Sequence, residues 1–129
     1  MARTISFSRT IPVLRIFSVD KAREFYVDYL GFDVDWEHRF SEDLPLYMQV
    51  SRNGFVLHLS EHHGDATPGS RVFIMTAGVE DLAVELAAKG YRFLRPAVEE
   101  APWGARVLEV TDPFGNRLTF NEPVEAPED

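Results

Sequence analysis

The chain repeats its own pattern at an offset of about 60 residues, and this repeat restricts the folds open to it more than any other feature. The stretch from Met48 to Glu61 lies on the stretch from Leu108 to Glu122 with one inserted residue, so that Gly54 meets Gly115, Leu57 meets Leu118 and His58 meets Thr119. Upstream, a helix-period segment from Val19 to Leu30-Gly31-Phe32 has its counterpart from Val79 to Lys89-Gly90-Tyr91. Each half therefore reads as strand, helix and three strands.

Periodicity and end signals support the elements. Ala22, Phe25, Tyr26 and Leu30 share one helix face, Asp20 is placed to cap its start, and Gly31 suits the left-handed position after its end. Leu82, Leu86 and Ala87 form a thinner stripe that Gly90 closes. The strands alternate with period two: Leu46, Met48 and Val50 against Tyr47, Gln49 and Ser51, then Phe55, Leu57 and Leu59 against Val56, His58 and Ser60. Leu118 and Phe120 likewise oppose Arg117, Thr119 and Asn121. Asn53-Gly54 and Asp112-Pro113-Phe114-Gly115 carry hairpin-turn chemistry. Neither half can bury both faces of its own strands. The expected fold is α+β: two βαβββ repeats forming a curved mixed sheet, helices outside and a groove inside. Val13, Arg15, Tyr47, Gln49, His58, Val72, Glu109 and Thr119 are expected to line the groove. A single domain is expected over residues 1–121, built of repeats at about 11–61 and 71–121, with 122–129 as an acidic flexible tail.

Composition removes several functions. There is no cysteine, hence no disulfide scaffold, thiolate metal site or thiol nucleophile, and a cytoplasmic setting is expected. No apolar run approaches the roughly 20 residues that span a bilayer, and the first residues carry no secretory signal pattern, so no membrane association is expected. The formal net charge of −8 opposes binding to nucleic-acid phosphates. Setting aside Glu122, Glu125, Glu128 and Asp129, the remainder carries 17 acids against 13 bases, a mild acidity that suits a cationic ligand.

Three stretches resemble the glyoxalase/bleomycin-resistance branch of the vicinal oxygen chelate superfamily. They are Pro12-Val13-Leu14 with Glu24-Phe25-Tyr26, then Leu30-Gly31-Phe32, and above all Pro102-Trp103-Gly104 with Asp112-Pro113-Phe114-Gly115-Asn116. The resemblance covers about Ile11 to Glu122 and is strongest to the bleomycin-resistance proteins. It implies a homodimer that sequesters a cationic glycopeptide antibiotic in clefts shared between subunits, without reacting with it. It also implies exchange of the N-terminal strand between subunits, near Pro12.

Enzymes of the superfamily hold a metal through one residue on the first and last strand of each half. The matching positions are Val13, His58, Val72 and Thr119, of which His58 alone is a competent donor, whereas a divalent-metal site needs at least three. His62 does not rescue the site, because four residues of strand separate it from His58 by roughly 13 Å. No metal, no other cofactor and no catalytic residue are therefore expected.

The expected ligand-binding residues are Trp36, Phe40, Tyr47, Gln49, His58, Trp103, Gly104 and Glu109. Trp103, between Pro102 and Gly104, is read either as a rim residue that stacks on ligand or as an aromatic plug in the core. Trp36 and Phe40 belong to an alternating run, Phe32 to Phe40, whose apolar side covers core, a dimer partner or a planar ligand. Glu37, Glu42, Asp43, Glu99 and Glu100 flank these aromatics as a solvated acidic rim. The leading function is sequestration of a cationic, partly aromatic molecule of the bleomycin type. The competing readings are a metal-dependent enzyme with an atypical site around His58, and an interaction module that takes a peptide or metabolite.

Overall fold

Strand, helix and three strands follow one another twice along the chain, in the order the repeat dictates. The computed structural model describes residues 3–124. In the first half, β1 is Val13–Arg15, α1 is Val19–Arg23 continuing into a π-helical turn over Glu24–Tyr29, and β2 Asp33–His38, β3 Tyr47–Arg52 and β4 Phe55–Ser60 complete the unit. In the second, β5 is Arg71–Met75, α2 Val79–Lys89, β6 Glu99–Ala101, β7 Ala105–Thr111 and β8 Arg117–Pro123. The architecture is the expected α+β pair of βαβββ repeats. Its strands make two four-stranded mixed sheets, ordered β1-β4-β3-β2 and β5-β8-β7-β6, so the strand ladders stay within a half.

The halves join through side chains. One apolar core takes Leu14, Phe25, Met48 and Leu57 from the first half and Val79, Leu86, Leu108 and Leu118 from the second. Across it, the Tyr26 hydroxyl donates to Asp112 Oδ2 at 2.6 Å. Arg52 forms a two-pronged ion pair with Glu85 at 2.7 and 2.8 Å and also donates to the carbonyl of Leu30. The turn at Asp112 is braced by its own carboxylate, which accepts from the amides of Phe114 and Asn116, while Asn116 Nδ2 reaches the carbonyl of Arg15. A motif read as a hairpin turn thus also ties the second half to β1.

The helices differ from expectation in detail. Ser18 caps α1, accepting from the amide of Lys21, and Asp20 sits in the first turn instead. The wider π-helical turn, with Leu30 N–H bonded to the carbonyl of Phe25, brings Tyr29 inside together with Phe25, Tyr26 and Leu30. In α2 the inward face is Val79, Leu82, Ala83 and Leu86, and Ala87 is exposed. Strand β8 runs past the expected tail boundary at residue 122. Glu122 belongs to it, and its carboxylate accepts from the amides of Gly78 and Val79, capping α2 from 43 residues away. The rest of the expected tail, residues 125–129, lies outside the described residues.

Candidate ligand-binding site

Directly paired residues of neighbouring strands point to the same side of a sheet. On β3 and β4, Met48, Val50, Leu57 and Leu59 face the core, leaving Tyr47, Gln49 and His58 on the far side. On β2 the alternation breaks. Val34 pairs with Val50, but the next pairs are Trp36 with Gln49 and His38 with Tyr47, so Asp35 is the extra residue of a β-bulge. The apolar run from Phe32 to Phe40 is thereby split: Val34 follows the core-facing phase, and Trp36 joins the outer face. Of the three coverings open to Trp36 and Phe40, the core is removed, since they are 42% and 74% exposed.

These residues build a first wall. Trp36 lies nearly parallel to Tyr47, 11° between planes and 6.0 Å between centroids, and meets His58 edge-on at 5.3 Å. Phe40 stands beside His38 and His62, and the cleft bounded by Trp36, His38, Phe40, Tyr47, His62 and Asp65 measures about 410 Å³.

Below the aromatics runs a continuous hydrogen-bonded chain. Tyr47 Oη meets His58 Nδ1 at 2.7 Å, His58 Nε2 meets Gln49 Oε1 at 2.9 Å, and Gln49 Nε2 donates to Asp35 Oδ2 at 3.0 Å. Ser51 donates to the other Asp35 oxygen, and the two donors lower the Asp35 carboxyl below its ordinary range. Burial, followed by the charge of Arg9, pushes the His58 pKa down and favours the neutral ring. Burial, followed by the charge of Asp65, raises that of Tyr47.

The second wall lies on the outer face of β5, β7 and β8. Here the expected face of β5 is corrected. Val72 packs against the core, whereas Phe73 pairs with Thr119 and Met75 with Asn121 on the outer side, 50% and 64% exposed. The repeat offset carries the signal for this, since Val13 plus 60 is Phe73. Trp103 stands at the rim, 58% exposed, so it is no core plug, and its indole N–H donates to Asn121 Oδ1 at 2.8 Å. Gly104, at φ +79°, makes the tight turn behind it, its amide donating to the carbonyl of Ala101.

Glu109 accepts from Thr119 Oγ1 at 2.9 Å and sits 3.5 Å from Arg71 and 3.9 Å from Arg117, which neutralise it locally. The cleft bounded by Arg71, Glu99, Trp103, Val107 and Glu109 measures about 540 Å³. Glu37, expected in the acidic rim, instead follows the Met48 phase of β2 and pairs with Arg23 of α1. Asp35, Arg71, Phe73, Met75 and Asn121 are the site-face residues absent from the expected set.

The four corners that hold a metal in enzymes of this architecture are thus Val13, His58, Phe73 and Thr119. Both nitrogens of His58 are hydrogen-bonded, valine and phenylalanine offer no lone pair, and the Thr119 hydroxyl is engaged with Glu109 and Arg71. These residues do not fit a divalent metal. Nor do three His, Asp or Glu side chains converge elsewhere among the described residues.

Paired βαβββ units with outward-facing walls define the glyoxalase/bleomycin-resistance class of fold. A family model described as glyoxalase superfamily protein matches residues 1–127, and the chain belongs to that family. The bleomycin-binding protein from bleomycin-producing Streptomyces verticillus, solved with copper(II)-bleomycin, is 30% identical; the match covers 95% of this chain and 100% of that one, with a TM-score of 0.68. TnmS3, an antibiotic binding protein from Streptomyces sp. CB03234, is 26% identical, with coverage of 93% and 99% and a TM-score of 0.71. The bleomycin resistance determinant encoded on the transposon Tn5 has the same fold at 18% identity, with coverage of 91% and 98% and a TM-score of 0.73. No curated protein matches the chain. No helix among the described residues is long and apolar enough to cross a membrane.

Proposed function

We propose that this protein binds and sequesters a cationic, partly aromatic small molecule of the bleomycin type, conferring resistance without chemical change to the ligand. One observation carries the reading: aromatic side chains are exposed on the outer faces of both sheets, Trp36 and Tyr47 on one and Trp103 and Phe73 on the other, beside corners that hold no set of metal donors. Aromatic faces stack flat rings and attract cations over them. The antibiotic-binding relatives described above support the ligand class, and the acidic balance of the chain favours a positive charge.

Each cleft is lined by one half of the chain, an arrangement that supports completion of each groove by a second molecule. We infer a twofold homodimer with two equivalent grooves. The N-terminal arm, extended and exposed with Ile5 at 81% and Phe7 at 97%, is the segment for exchange onto the partner. The absence of cysteine suits action in the cytoplasm.

The test is calorimetry with metal-free and copper-loaded bleomycin, beside light scattering at micromolar protein and elemental analysis. Binding that survives a chelator, at one ligand per groove of a dimer, is the expected result. Near-stoichiometric protein-held metal, lost on His58→Ala, would instead establish the enzymatic reading.

A further inference from the structure

With the His58 ring neutral, the chain of donors and acceptors under the first wall has only one consistent assignment of its protons. Asp35 as a carboxylate can only accept, so the end of the Gln49 side chain that faces it is the NH₂ group. The opposite end, facing His58, is then the carbonyl oxygen, and His58 Nε2 must carry a hydrogen to donate to it. In the neutral ring Nδ1 is consequently a lone pair. Tyr47 has to donate its hydroxyl proton inward to that nitrogen. The phenol oxygen is left with lone pairs only, on a ring that lies nearly parallel to Trp36 and lines the cleft.

We propose that Asp35 is a positioning residue that sets the polarity of this wall through Gln49 and His58, making Tyr47 an acceptor and the wall a receptor for flat cations that donate N–H bonds. This rests on the ligand-binding reading above and narrows it: an amidinium, guanidinium or protonated heterocycle matches both the π-face of Trp36 and the Tyr47 oxygen. A flat carboxylate of the same size matches neither. The β-bulge is the structural cause. An unbulged strand would put Asp35 on the opposite side from Trp36, whereas the extra residue lets the carboxylate reach Gln49 and Ser51 while Trp36 lies over Tyr47.

The relay is read in the ligand-free protein by long-range proton–nitrogen NMR of the His58 ring near neutral pH. The expected state is protonated at Nε2 with a bare Nδ1; an Nδ1-protonated ring overturns the proposal whatever the protein binds. In Asp35→Asn the Gln49 amide is free to turn over, and the single tautomer is expected to give way to a mixture. Asp33→Asn removes the same charge two residues earlier on the strand and is expected to leave the tautomer as it was. A shift to a mixture in both variants, or in neither, overturns the role of Asp35.

Wall polarity is then tested with benzamidinium and benzoate as matched probes, following the Trp36 indole signal. Shifts with benzamidinium alone, lost in Asp35→Asn and kept in Asp33→Asn, are expected. Equal response to both probes, or to neither, overturns the acceptor assignment. Failure of bleomycin to bind while benzamidinium and the tautomer behave as expected counts against the antibiotic reading and leaves the relay standing.

Discussion

The indole N–H of Trp103 donates to the side-chain oxygen of Asn121 at 2.8 Å, so a ring more than half exposed is anchored on a residue that is 3% exposed. Asn121 is held in turn by its strand neighbours and directs its Nδ2 to the sulfur of Met75. A rim aromatic fixed in this way loses little freedom when a ligand stacks on it.

Trp103→Ala is therefore expected to weaken bleomycin binding by about tenfold while leaving the folded state intact, since stacking on one ring contributes about 0.5–1.5 kcal/mol beyond burial. Asn121→Leu is expected to cost between about two- and tenfold through the loss of one hydrogen bond. Calorimetry beside thermal melting separates the two effects. Unchanged affinity in Trp103→Ala removes that residue from the site.

Two neighbouring tyrosines should respond oppositely to the same substitution. Tyr26→Phe strips a buried hydrogen bond from Asp112 and is expected to cost about 1–3 kcal/mol. The hydroxyl of Tyr29 is buried with no partner, so Tyr29→Phe is expected to be neutral or stabilising. Urea denaturation of both variants decides this, and comparable losses in the two would contradict the assignment.

The Arg52–Glu85 pair links the halves at the surface. Arg52 first, through its hydrogen bonds and then its charge, lowers the Glu85 carboxyl in the folded state. A lowered folded pKa gives stability that is present above the unfolded value and is lost as pH falls through the folded one. Glu85→Gln should flatten this acid-side loss, at a cost near neutral pH of at most about 1 kcal/mol, because both partners are partly exposed. An unchanged acid limb in a denaturation series would show that the pair contributes nothing.

His58 makes the ligand site pH-dependent. Its folded pKa is lowered, so the unfolded chain takes up the proton first, and stability falls as pH drops below the ordinary histidine value of about 6.5. The groups around it are Arg9, the Tyr47 hydroxyl, Asp35 through Gln49, and Asp65 beyond Tyr47. Protonation turns Nδ1 into a donor facing the Tyr47 hydroxyl, which must rotate and cease donating inward. Binding of a cationic ligand is expected to weaken on acidification through the His58 pKa. His58→Gln is expected to abolish that step in a calorimetric pH series; a step that persists belongs to another group.

Much of the fold was legible because burial imposes its period on local sequence. The Met48–Val50 and Leu57–Leu59 alternations, the left-handed glycines at 31 and 90, and the Asn53-Gly54 turn with both residues at positive φ are local consequences of local residues. Where reading failed, the cause was non-local. Glu122 looks like tail until the amides of α2 are seen beside it. The bulge at Asp35 leaves no mark in composition, only a change of phase that pairing with β3 reveals. Phe73 follows from applying the repeat offset of about 60 residues to Val13.

The sequence by itself determined the two βαβββ units, the corners poor in metal donors and the aromatic supply of the walls, because these depend on residue type and spacing along one strand or helix. Tertiary structure alone decided that Asp35 and Trp36 share a side, that Glu122 caps α2, and that each cleft is lined by one half of the chain. Those outcomes follow from strand register and from the packing of one half on the other, which are set by contacts between residues tens of positions apart and so have no local signature.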